Sequence, residues 1–198
     1  SMNHFPDDYN PKTVFENGKK LGLGLDEVHE MGYTGKGCSV AVIDGVLDTN
    51  HNDFKVKSNT VSGFAQNEPS SFHASACVGL LGGKTTGVAP DADIYYFATS
   101  SKSHEAHISS QTDMLKNILE INKTKPDNEK IRVVSISASV GQDAEAQKVL
   151  EELRNSGVWV LSANEFRENF GYLTKKDPMK SPDDYENYQI CNWNDNNG

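Results

Sequence analysis

The sequence predicts an α/β fold with a mostly parallel sheet between helices. Three observations carry this. Four short apolar runs, rich in β-branched residues and bounded by turn residues, recur along the chain. They are almost continuously apolar rather than alternating, as strands buried on both faces are. Between them lie segments whose apolar residues repeat at helical spacing.

Taken in order, Ser1 to Lys20 is polar and reads as a surface arm. Leu25, Val28 and Met31 give a short helical face that stops at Gly32. Cys38 to Ile43 is the first strand and ends at Asp44-Gly45. A polar region follows to Ser71. His73 to Leu81, small and apolar, fits a buried helix closed by Gly82-Gly83. Ile94 to Phe97 is the second strand, and Ser100 to Ser110 reads as a polar loop. Met114, Leu115, Ile118, Leu119 and Ile121 form one helical face, broken at Pro126. Ile131 to Ile136 is the third strand. Ala146, Val149, Leu150 and Leu153 mark a further helix ending at Asn155-Ser156-Gly157, and Val158 to Leu161 is the fourth strand. Beyond Asn164 the pattern dissolves. Lys175 to Asn187 reads as a loop, and Tyr188 to Trp193 as a last short strand. The expected organisation is a single domain over 1–198, with an N-terminal arm at 1–20 and an irregular tail at 166–198.

Composition narrows the function. Of 198 residues, 36% are hydrophobic and 24% charged, enough for a core in a polar chain. Nineteen basic against 28 acidic residues leave a net charge of −9, which argues against nucleic acid or an anionic membrane as partner. No apolar run is long enough to span a bilayer, and no signal peptide is read at the polar N-terminus. Cys38, Cys77 and Cys191 are too few and too scattered for a disulfide framework or a four-ligand zinc site. The odd count favours a reducing, intracellular compartment. A dinucleotide or phosphate-binding reading fails. Gly35 and Gly37 precede the first strand instead of following it, and no phosphate-loop motif occurs.

Ligands of open α/β sheets bind beyond the carboxyl ends of the strands. Asp44 stands at one such end and Asn164 just past another, while His73 opens a helix. A carboxylate, an imidazole and a carboxamide are the orienting acid, general base and oxyanion donor of an acyl-transfer site. Taken singly, each also has a structural reading as cap, packed ring or turn residue. The other five histidines fall in polar segments and read as solvated.

The sequence around these residues resembles the subtilisin-like serine peptidases. Tyr33-Thr34-Gly35-Lys36-Gly37 followed by Val40-Ala41-Val42-Ile43-Asp44 is similar to the segment around that family's catalytic Asp. His73-Ala74-Ser75-Ala76-Cys77-Val78-Gly79 resembles the motif opening with its catalytic His. Gly87-Val88-Ala89-Pro90 resembles its strand entry, and Ser139-Val140-Gly141 its substrate-binding edge. Gly157 to Glu165 resembles the strand ending in the oxyanion Asn. The resemblance runs from about Gly22 to Glu165, with Asp, His and Asn in the family's order.

It implies a three-layer fold, here expected to be incomplete at the C-terminus, and a serine endopeptidase acting on peptides or proteins. Asp44, His73 and Asn164 would be catalytic, and Ser139, Val140 and Gly141 would bind substrate. No cofactor is implied. Asp48 matches a position that helps hold calcium in relatives, but Leu80 to Gly87 lacks room for their inserted loop, so no metal is expected. The family's Gly-Thr-Ser nucleophile motif does not occur in these residues. This chain alone is therefore expected to be inactive, with an uncovered surface open to self-association or to a C-terminal partner segment. The alternative reading is a non-catalytic, peptide-binding module of the same fold.

Overall fold

The computed structural model describes residues 7–20, 22–163 and 173–191. The chain divides into two compact units, Thr34–Phe170 and a smaller one combining Ser1–Tyr33 with Gly171–Gly198.

In the smaller unit, helix α1 (Pro11–Lys19) replaces the expected arm. Its start was legible. Pro11 sits in the first turn, and the Asn10 side chain accepts from the Lys12 and Thr13 amides. None of its residues is buried. The Asn17 amide donates to the carbonyls of Pro178 and Lys180, which ties the helix to the later segment. Helix α2 (Leu25–Glu30) follows.

The larger unit is built on a five-stranded sheet. Strand β1 (Ser39–Asp44) is its centre. Strand β2 (Ser58–Val61) lies in the region whose sequence is polar. It was missed because it is an edge strand with alternating exposure, four residues long, and carries only one aliphatic residue. Helix α3 (Phe72–Gly82) precedes strand β3 (Asp93–Ala98). Helix α4 (His104–Thr124) starts well inside the expected loop. Ser103 caps it by accepting from the Ala106 amide, a signal outweighed by the polarity of the first turn. Strand β4 (Ile131–Ile136), helix α5 (Ala144–Asn155) and strand β5 (Trp159–Ser162) complete the unit. The strand order is β2-β3-β1-β4-β5, and every pairing is parallel. In the smaller unit, β6 (Leu173–Lys176) and β7 (Tyr188–Cys191) pair antiparallel, so Lys175 and Lys176 belong to a strand and not to the expected loop.

The pleat sends alternate side chains of β1 into two cores. Ala41 and Ile43 join Phe97, Val134 and Val160 beneath Leu115 and Ile118 of α4 and Leu150 and Leu153 of α5. Val42 joins Ile94, Tyr96 and Ala98 beneath Ala74 and Val78 of α3. That second layer is thin because α3 lies close. A Cβ at Gly82 would meet Ile94 Cδ1 at 2.5 Å. At Gly35, φ is +82° and a Cβ would meet that of Ala89 at 2.7 Å, so only glycine serves this turn. On the α3 side of the sheet, Trp159 and Leu161 of β5 are exposed, as are Phe72 and Leu80 of α3.

Leu115 is fully buried in the larger core. Leu115→Ala is expected to cost about 2–5 kcal/mol of unfolding free energy, read from the midpoint of urea denaturation. A loss under 1 kcal/mol would mean that the α4 layer is not part of the cooperative core.

Candidate active site

Strand order reverses at β1, because the chain goes to β2 and β3 on one side and to β4 on the other. A crevice opens at such a switch point beyond the carboxyl end of the central strand. Asp44 occupies that end. Its carbonyl accepts from the Thr99 amide at 2.7 Å and the Thr99 hydroxyl at 3.0 Å. Its carboxylate Oδ1 accepts from the Gly45 amide at 2.7 Å. Strand pairing and this local bond therefore fix the carboxylate before any partner approaches.

His73 is the second residue of α3, which packs against β1 through Ala74 and Val78. Its Nδ1 lies 3.0 Å from each carboxylate oxygen of Asp44. The Asp44 side chain is 9% exposed and that of His73 53%, so the acid is sheltered while the ring meets solvent. With the carboxylate ionised, Nδ1 donates and Nε2 keeps its lone pair. The two residues line a cleft of about 250 Å³. Ser100, His107, Ser137 and Ala138 form much of its wall.

Three residues have places that the sequence did not reveal, His107 and Ser137 in the cleft wall and Cys77 beside His73. His107 is half-buried instead of fully solvated. Its Nδ1 donates to the Ser100 carbonyl at 3.0 Å, and its Nε2 lies 3.0 Å from Nε2 of Gln111. Only the start of α4 brings it there. Cys77 lies one turn after His73 on α3, a spacing visible in the sequence. Its thiol donates to the Ser137 hydroxyl at 3.1 Å and stands 3.7 Å from His73 Nδ1 and 4.0 Å from Nε2. Ser137, just past β4, had no signal beyond its place at a strand end.

The expected substrate edge is split. Ser139 is exposed, but Val140 is 5% exposed within the α4–α5 core and Gly141 is buried. The Gly141 carbonyl accepts from the Gln147 side chain at 3.0 Å. Asn164 lies outside the described residues, just beyond Ala163, whose amide donates to the Ala138 carbonyl.

Burial pushes the Cys77 thiol above its ordinary value; the Ser137 hydrogen bond opposes this, and the Asp44 charge adds to it. Tyr96, whose hydroxyl donates to the Gly45 carbonyl, is also pushed up, by burial first and then by Asp44 and Cys77. Alkylation of Cys77 by iodoacetamide is therefore expected to have its pH midpoint above that of an ordinary thiol. Asp44→Asn should lower that midpoint, because it removes a negative charge that disfavours the thiolate. Peptide mass spectrometry of the labelling rate against pH measures both. An unchanged midpoint in the variant would show that Asp44 does not act on the thiol.

The larger unit is thus a parallel α/β sheet with a sheltered acid and an exposed imidazole in contact at its switch point. A family model described as the subtilase family matches residues 35–188, more than half of the chain, and the chain belongs to that family. It is 26% identical over 160 residues to a "Cuticle-degrading protease" of Metarhizium anisopliae, covering 75% of this chain and 40% of that relative's length. Among solved structures, the prenylagaramide maturation protease PagA matches with a TM-score of 0.55 at 15% identity. That match covers 71% of this chain and 50% of that one, a likeness of fold. The chain thus spans about half or less of the length of these relatives.

Proposed function

We propose that these residues form the acid–base half of a serine endopeptidase site of the subtilisin type. The observation that carries this reading is the contact of His73 Nδ1 with the sheltered Asp44 carboxylate at the mouth of the cleft. Asp44 holds the ring in the tautomer that leaves Nε2 free to accept a proton. His73 then takes the proton of a serine hydroxyl as it attacks a peptide carbonyl, and returns it to the leaving amine. Asn164 donates to the tetrahedral oxyanion. The backbone at Ser139, with Val140 and Gly141 as its buried support, pairs with an extended peptide as an added strand. The nucleophile is supplied from outside these 198 residues. Ser162 is a poor substitute, since it is only 9% exposed at the end of β5. The partner of the whole protein is a peptide or protein substrate. The exposed Phe72, Leu80, Trp159 and Leu161 support a cover over the α3 side, by self-association or by a C-terminal segment.

The second reading, a peptide-binding module without catalysis, is favoured by Ala74 and Ser75 beside His73, where the family has Gly-Thr. One assay separates the two. The 198-residue chain is incubated with a fluorogenic peptide and a serine-directed phosphonate, and so is the chain extended along its reading frame. The peptidase reading expects no signal from the first and both signals from the second. Labelling of the short chain would place the nucleophile within it and overturn the assignment. Peptide binding without turnover by the extended chain would favour the module.

A further inference from the structure

We infer that Asp44, His73 and Cys77 form a binding site for a borderline-soft divalent cation, zinc in the first instance. Among the described residues they are the one group of three metal-ligating side chains whose ligand atoms lie within 4.8 Å of one another. The donor set is one carboxylate oxygen, one imidazole nitrogen and one thiol sulfur. That combination selects zinc and its neighbours over calcium or magnesium, which take oxygen donors.

The spacing fits the metal. Bonds of about 2.0–2.1 Å to nitrogen and 2.3 Å to sulfur, at tetrahedral angles, put the two ligand atoms about 3.6 Å apart. Cys77 Sγ is 3.7 Å from His73 Nδ1. The Asp44 oxygens are 3.0 Å from the same nitrogen, so a small widening admits the ion. The spacing is built into the helix, where His73 and Cys77 stand four residues apart on one face. Outer contacts are in place as well. The Gly45 amide holds Asp44 Oδ1, and the Ser137 hydroxyl at 3.1 Å can turn to donate to a thiolate. The exposed His73 ring leaves an entry path and an open position for water.

Binding balances as follows. The thiol gives one proton to solvent and its sulfur lone pair to the metal. The histidine proton moves from Nδ1 to Nε2, and Nδ1 donates its lone pair to the ion. Zinc, thiolate and carboxylate together are neutral. The loaded ring has no lone pair left with which to accept a proton. The consequence for acyl transfer, reversible block by zinc, rests on the function proposed above; metal binding itself does not.

The test uses the reduced 198-residue chain. Equilibrium dialysis with zinc is expected to give one ion per chain, with one proton released in weak buffer. Cobalt in its place should give a thiolate-to-metal charge-transfer band. Cys77→Ser and His73→Gln should each abolish the band and weaken zinc binding at least tenfold, whereas Cys38→Ser should change neither. Circular dichroism checks that each variant is folded. Should a variant fail to fold, the wild-type chain still decides the matter, because zinc must protect Cys77 from iodoacetamide. No zinc uptake at 100-fold excess, a band that survives Cys77→Ser, or unprotected Cys77 would overturn the site.

Discussion

His73→Ala, made in a chain that carries the serine, is expected to lower kcat on the order of a millionfold, the scale for removing the base of such a triad. At 1.36 kcal/mol per tenfold, that is about 8 kcal/mol of transition-state stabilisation. The loss is large because one side chain acts twice, as base for the attack and as acid for the leaving amine. Its effect on folding should be small. The ring is half exposed, and α3 is held by Ala74 and Val78, not by His73. KM for a peptide should change little, since the ring does not form the strand-like substrate contact. The measurement is kcat and KM with a fluorogenic peptide, beside thermal unfolding of the same protein. A fall of less than a hundredfold in kcat, with the fold intact, would remove His73 from the role of base.

Asp44→Asn is expected to lower kcat about 10⁴-fold, or about 5.5 kcal/mol, with near-native stability. The local geometry explains why the isostere fails. Oδ1 already accepts from the Gly45 amide at 2.7 Å, so the oxygen of the introduced amide stays there. Its NH₂ then faces His73 Nδ1, which must accept instead of donate. The ring turns to the other tautomer, with its proton on Nε2, and can no longer take one from serine. A readout beyond rate separates this from a structural effect. Nitrogen-detected NMR of His73 should show the proton moving from Nδ1 to Nε2, whereas a merely packed residue would leave the tautomer unchanged. Wild-type kcat in this variant would exclude Asp44 as the orienting acid.

The strands most legible in the sequence are apolar runs, most of them well covered, although β5 was legible with Trp159 and Leu161 exposed. β1, β3 and β4 are apolar almost throughout, because sheet neighbours and helices cover them, and their bounds fall within a residue or so of the expected ones. α5 was legible through its strict apolar face of Ala146, Val149, Leu150 and Leu153. The elements that escaped are marginal in burial. α1 buries nothing, β2 is an edge strand, and the first turn of α4 is polar although its later turns bury Gln111 and Thr112. At α1 and at the start of α4 hydropathy carries no signal, and the caps Asn10 and Ser103 carry it instead.

For the site, sequence alone marked out Asp44 and His73 as candidates by their places in the chain. Asp44 at a buried strand's end and His73 at a helix start are local facts, set by hydrophobic pattern and helix geometry. Tertiary structure decided everything that depends on distances between segments far apart in the chain. It closed the 29-residue separation of Asp44 and His73 to 3.0 Å. It brought Ser137, 60 residues beyond, onto Cys77, carried His107 into the cleft, and drew Val140 into the core, away from the edge expected of it. The physical reason is the parallel sheet. Every crossover returns the chain to the same end, so strand ends and helix starts converge there, whereas the residues filling the spaces between them are chosen by packing.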